Sequence, residues 1–469
     1  MSNATTAPAM RLRHGPSRPV LARFDQPHAS ADGGAMLLNG CDARYGLSEA
    51  LAAAIDDRRD PRRVTHSVLD LVRQRVFGIA LGYPDGNDAS RLAQDPMARL
   101  LLGRDPLRGA SIASQPTLSR FENALDGRSL VRMGRALAEH VVARHRRRLG
   151  SKVRRVTIDL DPTDDAVHGA QQLSAFSAHY DGWCYLPTAA FLTFGKESEQ
   201  YLFAYVLRPG DVGASYGAEP LLERAFELLR GAFARVRIRV RLDSGFATPE
   251  LLDFLEDAQV EYVVGIAVNS TLRASAERLL RGVRRRSAAS GQSEHAYGEC
   301  RYSAARWDSV RRVIIKAEIT CQDGRAARDN PRFVLTNLTQ SPAHVYRRVY
   351  CHRAHVELRI KELLHGLSID RTSCTSFLAN QGRCLLAAAA AVLMQELRLG
   401  AARTALAGAQ FTRLRECLLK LGVWFEEARR EIVMHLPANA PWRHEWCCIA
   451  RTLGVADPLG GDNLVNRSG

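Results

Sequence analysis

"RRVTIDLDPTDDAVHG", residues 154–169, sets four carboxylates, Asp159, Asp161, Asp164 and Asp165, where the apolar positions Val153, Val156 and Ile158 end. Such alternation reads as a strand, and residues two apart on a strand point to the same side, so Asp159 and Asp161 share a face. Like charges at a strand's end repel each other unless a cation lies between them. Magnesium and manganese prefer oxygen ligands and need only one or two carboxylates apiece when phosphates supply the rest. The plain alternative is a solvated turn, because Asp and Pro favour turns and Asp161-Pro162-Thr163 runs straight into Asp164-Asp165.

The chain around this acidic knot has the opposite sign. Over 469 residues, 65 Lys+Arg face 50 Asp+Glu, a formal net charge of +15. Residues 1–150 alone hold 23 Lys+Arg against 15 Asp+Glu, or +8 of that total. A positive field of this size attracts polyanions, nucleic acid being the commonest, although ribosome-associated and membrane-surface proteins share it. The length calls for two or three structural units. The ten cysteines form no CxxC pair and no Cys/His ligand spacing, so structural zinc is not expected. The opening "MSNATTAPAMRLRHG" lacks the apolar core of a signal peptide, which points to a cytoplasmic protein with reduced thiols. The longest apolar run, "CLLAAAAAVLM" (384–394), is too short to cross a bilayer and reads as a buried helix.

Four regions follow from the periodicity. Residues 1–30 form a Pro-, Ala- and Arg-rich tail expected to be disordered, and 31–150 are helical. Within the latter, "SQPTLSRFENAL" (114–125) opens on a capping Ser and Pro. It fits either the recognition helix of a helix-turn-helix, with Arg120 facing DNA, or an amphipathic bundle helix. "RHRRRLG" (144–150) reads as a solvated basic turn. From 151 to 375 the pattern becomes mixed α/β: strands at "KVRRVTIDL", "CYLPTAAFLTF" (184–194), "QYLFAYVLRPG", "VRIRVRLDSGF" (236–246) and "EYVVGIAV", with intervening helices. Residues 270–330 interrupt that scheme as a β-rich insertion that starts with "RLLRGVRRRS", and 376–469 are mostly helical.

Two further signals join the first. "VRIRVRLDSGF" ends a strand in Asp243 followed by Ser-Gly, and strand carboxyl ends are where α/β sheets present functional groups. On the helical stretch after 342, Tyr350, Arg353, Glu357 and Lys361 are spaced by three, four and four, along one helical face. They form either an exposed salt-bridge ladder or, beside the two strand aspartates, a third acidic ligand flanked by phosphate-binding groups.

In this order, Asp161-Pro-Thr163, strand-Asp243-Ser-Gly, and Tyr350-x-x-Arg353-x-x-x-Glu357 resemble the DDE transposases of bacterial insertion sequences, closest to the insertion-sequence 4 superfamily and, within it, the 1380 group. "GNDASRLAQDP", "HGAQQ", "YLPTAAFL", "LRPGDVGAS", "RFVLTNL" and "ELRIKELLHGL" extend the likeness over roughly residues 30–450. The resemblance implies an RNase H-like catalytic core with a β-rich insertion, a helical N-terminal DNA-binding region and a helical C-terminal region. It implies catalytic residues Asp161, Asp243 and Glu357 holding two Mg²⁺ ions, with Mn²⁺ able to substitute. Asp161 is favoured as the first ligand because Thr163 then falls where the family has Asp-x-Thr, and Asp159 is the alternative. It further implies phosphate contacts from Tyr350, Arg353 and Lys361, a base-stacking Trp307 in the insertion, double-stranded DNA as substrate, and a homodimer in the synaptic complex. One departure is visible: the superfamily places Lys seven residues after the Glu, where this chain has Leu364, and Lys361 is the nearest substitute.

Overall fold

The alternation that begins at residue 153 does form a strand, β1 (Arg155–Pro162), and β1 lies in the interior of the main sheet, between its neighbours on both sides. The computed structural model describes residues 9–12, 18–178, 180–304, 307–322 and 325–456. The chain divides into two units, each assembled from distant segments. One comprises 1–44, 61–119 and 396–469; the other comprises 45–60 and 120–395 and contains the sheet.

In the sheet unit, a long helix α1 (Gly127–Leu149) leads into β1, capped by Asp126, whose side chain accepts from Ser129 N. Short strands β2 (Asp165–Ala166), β3 (Ala175–Ser177) and β4 (Gly182–Tyr185) make a small sheet of their own. Strands β5 (Thr188–Phe194) and β6 (Tyr201–Val206) then rejoin the main sheet. Residues 184–194 are thus two strands in two sheets rather than one strand, and the break falls at Leu186-Pro187, where Pro has no N–H for a ladder. Helix α2 (Ala218–Ala232), strand β7 (Arg237–Leu242), helix α3 (Pro249–Asp257) and strand β8 (Glu261–Ile266) follow. Thr248 caps α3 by accepting from Leu251 N, with Pro249 in the first turn.

The segment 270–330, expected to be β-rich, opens on a 21-residue helix, α4 (Ser270–Ser290), that contains "RLLRGVRRRS". Strands β9 (Glu294–Tyr302), β10 (Arg311–Gln322) and β11 (Arg325–Asp329) come next, then β12 (Arg332–Thr336). Rather than standing apart, β9 and β10 extend the main sheet, whose order is β9-β10-β12-β8-β7-β1-β5-β6 with β11 paired to β10. Strand β7 is parallel to both β1 and β8, and the remaining pairs are antiparallel. Among the main-sheet strands β7 is the fourth in chain order, so its C-terminal end, like that of β1, points to the same edge of the parallel pair.

The stretch 342–367 is not one continuous α-helix. A single turn (Pro342–His344) passes into a π-turn (Val345–Val349) and a 3₁₀ turn (Tyr350–Arg353) before α5 (Ala354–Leu367) begins. The π-turn is held by packing: Val345, Tyr346 and Val349 are buried against Val263, Ile314, Val334 and Leu338. Helix α6 (Phe377–Gly400) carries the Ala-rich run, and Leu386 and Ala388 through Ala391 are fully buried. By length and composition it could span a membrane, yet 72% of its most apolar stretch is buried inside the protein.

"RHRRRLG" proves to be the last turn of α1 instead of a solvated turn. Arg148 makes a two-pronged ion pair with Glu197 at 2.7 and 2.8 Å. His145 is buried, with its ring 4.6 Å from that of Phe194 and 3.9 Å from that of Tyr201. Burial, then the neighbouring Arg148 and Arg144, push its pKa down to about 2, so it stays neutral in the fold.

In the other unit, Ser67 and Asp70 form a reciprocal capping box at the start of the helix Val68–Ala80. Gly34 lies so close to the Leu418 carbonyl that no side chain fits there. Buried Asp32 accepts from Tyr83 at 2.9 Å and pairs with Lys420 at 2.7 Å.

Candidate active site

The two carboxylates of β1 have different fates. Asp159 is fully buried and bound from two sides. Arg241, directly across on β7, gives it Nε and Nη2 at 2.7 Å each, and Gln200 Nε2 donates at 3.1 Å. Arg241 also donates Nη1 to the Val349 carbonyl at 3.1 Å, tying the sheet to the π-turn. The alternative first ligand is therefore spent in a buried ion pair. Breaking one member of such a pair strands a charge in the interior, so Arg241→Ala is expected to destabilise the fold by about 3–5 kcal/mol. Urea denaturation measures this, and a loss under about 1 kcal/mol would contradict the structural role.

Asp161, at the end of β1, has a different partner. Arg353 Nη2 lies 2.6 Å from Asp161 Oδ1 and 3.5 Å from Asp243 Oδ2, while its Nη1 is 4.0 Å from Glu357 Oε1. One guanidinium thus touches all three acidic residues, which are drawn from β1, the β7 end and the first turn of α5. Arg353 is 17% exposed in its side chain and its Nε is buried without a hydrogen-bond partner among the described residues. Burial raises the Asp161 carboxyl to about 6. Arg353 pulls it down, whereas Asp243 and Glu357 push it up.

Local sequence places each group. Asp243 ends β7 and its Oδ1 accepts from Gly245 N at 2.8 Å, closing the Asp-Ser-Gly turn. A side chain at Gly245 would meet Ala214 Cβ at 2.8 Å, which is why glycine stands there. Gly265 on the neighbouring strand β8 does the same service: a Cβ there would lie 2.6 Å from the Tyr350 hydroxyl and 3.0 Å from Ser244 N. Neither Gly265 nor the Arg241–Gln200 clasp stands out in the sequence, since each is defined by a neighbour on another strand. Glu357, 58% exposed, and Lys361 are one turn apart on α5, both open to solvent. Tyr350 and Arg353 precede α5 on the tighter 3₁₀ turn, so the four residues do not share one regular α-helical face. Tyr350 is half-buried, its ring 5.6 Å from that of Tyr346, and burial raises its pKa.

Trp307 has partners elsewhere, and Arg120 belongs to a different helix. Trp307 meets Tyr302 edge-on at 5.4 Å and lies under the Arg311 guanidinium at 5.0 Å. Arg311 is itself buried and clasped by Asp253 and Glu256 of α3. Arg120 is exposed on the helix Gln115–Asn123.

Next to the site, Asp165 is buried with both carboxyl oxygens 2.9 Å from Thr372 Oγ1. Burial raises its pKa to about 8. An acid that holds its proton more tightly when folded stabilises the fold most at low pH, and that share is lost as pH climbs from about 4 to about 8. Asp165→Asn, which stays neutral, is expected to remove up to about 1.4 kcal/mol per pH unit of this decline. Melting curves of both proteins across that window would reveal it, and parallel pH dependences would refute it.

The three oxygen donors fit a hard divalent cation in chemistry and charge. Among the described residues, however, no three His, Cys, Asp or Glu side chains are gathered closely enough to hold a metal ion; the guanidinium stands between them. Residues 12–455 match the family of the transposase DDE domain, group 1. The chain belongs to this transposase family. No curated protein matches it. Membership makes DNA the substrate of this transposase, and divalent metal ions are general to the family's chemistry.

Proposed function

We propose that this chain is the transposase of a bacterial insertion sequence, of the insertion-sequence 4 superfamily and its 1380 group. In this reading it acts in the cytoplasm, as a homodimer in the synaptic complex, binds the terminal inverted repeats of its element, and cuts and joins DNA. The observation that carries the reading is the convergence of Asp161, Asp243 and Glu357 on one guanidinium, in a chain that matches the DDE family over nearly its whole length. The order of the first five main-sheet strands, third-second-first-fourth-fifth, supports an RNase H-like core.

Asp161, Asp243 and Glu357 would hold magnesium, which when bound supplies positive charge that activates water and stabilises a leaving 3′ oxygen. The protein's own part is placement. The Arg241–Asp159 clasp anchors β1 beside β7, so the two aspartates leave adjacent strand ends in a fixed relation. The exposed Glu357 approaches from α5, and Arg353 keeps the three charges compatible until its guanidinium turns to phosphate. Lys361 extends the exposed side of the same helix. The basic surface supplies sequence-independent affinity by displacing counterions from DNA.

Purified protein mixed with a labelled DNA carrying the inverted repeats and with a target plasmid tests this directly. Magnesium-dependent joined product is expected. Cut ends without joining would instead identify a nuclease, and binding without cutting a DNA-binding regulator.

A further inference from the structure

Helix α4 has a division of charge that the active site does not use. Leu272, Ala276, Leu280, Val283 and Ser287 are buried and define its inner face. At 100° per residue, Arg278, Arg281 and Arg285 fall in one stripe on the opposite side, and all three are exposed. The acids nearby are already engaged. Arg284 holds Glu277 at 2.7 Å and Asp329 at 2.6 Å, and Arg286 pairs with Glu294 at 3.6 Å. Glu277 is held by Arg284 rather than Arg281, and Arg278 and Arg285 form no ion pair among the described residues. Arg239, Arg241, Arg311, Arg312, Arg353 and Arg359 of the same unit, by contrast, all face carboxylates.

We propose that the Arg278–Arg281–Arg285 stripe of α4 is a binding site for the phosphate backbone of duplex DNA, separate from the three carboxylates. The inference rests on the transposase reading and goes beyond it by assigning DNA contact to the helix inside segment 270–330. The stripe spans about 10 Å along the helix axis, enough to meet several phosphates in succession. Guanidinium groups carry fixed charge and a planar fork of donors suited to phosphate oxygens. The helix is rigid, since its inner face is packed and Asn269 caps it by accepting from Leu272 N at 2.9 Å. Such contacts position DNA without reading its sequence.

The test is the salt dependence of duplex binding by the full chain, with EDTA present so that nothing is cleaved. A fluorescent duplex of arbitrary sequence serves as probe, and affinity is read by anisotropy over a salt series. Replacing Arg278, Arg281 and Arg285 together by Ala should flatten the log–log slope by about 2.7, near 0.9 for each phosphate that is no longer neutralised. The same three changed to Lys should keep most of the slope. A second triple variant, Arg403→Ala, Arg429→Ala and Arg430→Ala, lowers the net charge equally. If it flattens the slope as much, only a general field is at work and the site is refuted. An unchanged slope in the first variant refutes it too. Failure of the unaltered protein to bind any duplex would overturn the transposase reading itself.

Discussion

Asp243→Asn is expected to abolish divalent-metal-dependent cleavage of element ends, by on the order of a thousandfold or more, while end-binding stays within about threefold. The size follows from chemistry in which a bound cation supplies several kcal/mol of charge stabilisation, and each 1.4 kcal/mol is worth about tenfold in rate. The change keeps the side chain's shape and leaves one oxygen free to accept from Gly245 N, so the Asp-Ser-Gly turn survives. Asp161→Asn and Glu357→Gln should match it, since all three carboxylates border one guanidinium. Gel-shift and cleavage assays run on the same preparations separate the two effects. Residual cleavage near the unaltered rate in any of the three would remove that residue from the catalytic set.

Arg353→Ala should expose the other side of the same arrangement. Asp161 is only 6% exposed and has Asp243 and Glu357 as electrostatic neighbours. Without the guanidinium, a buried carboxylate loses its counter-charge, a loss of about 3 kcal/mol for pairs of this kind. Glu357 adds little to that figure, being largely in water where such contacts are screened. The variant should therefore melt several degrees lower in EDTA and regain much of the difference on adding magnesium, because a cation binding only the folded state stabilises it by mass action. The unaltered protein should gain less, as its carboxylates already have a positive partner. Equal metal responses in the two proteins would show that Arg353 and the cation do not compete for the same oxygens.

Much of this site was legible because its signals are local. The alternation in Val156-Ile158 and in Ile238-Val240-Leu242 reports strands, and the carboxylate that follows each marks its end. Thr248-Pro249 announces a helix start, and it starts there. What the pattern hid was partnership. Asp159 and Asp161 are equivalent by spacing, yet one is locked to Arg241 and the other faces Arg353; the difference arises from β7 lying beside β1, with Arg241 opposite Asp159. Strand periodicity carried through 184–194 concealed a change of sheet, because Leu186-Pro187 interrupts pairing without interrupting hydrophobicity. The helical spacing of Tyr350, Arg353 and Glu357 was real in number but altered in geometry. A π-turn and a 3₁₀ turn, imposed by packing against Val263, Ile314 and Val334, change the rotation per residue.

By itself, then, the chain's order of residues determined the strands that end in Asp161 and Asp243, the helix start at Thr248-Pro249 and the net positive charge. Those properties depend on neighbours within a turn or two along the backbone. Only the tertiary structure decided which aspartate pairs with Arg241 and which with Arg353, that segment 270–330 continues the sheet, that distant chain segments share a unit, and that Arg353 is the point on which three carboxylates meet. Each of these depends on pairing between residues tens to hundreds of positions apart. Their energies come from strand register, burial and charge compensation, none of which local periodicity encodes.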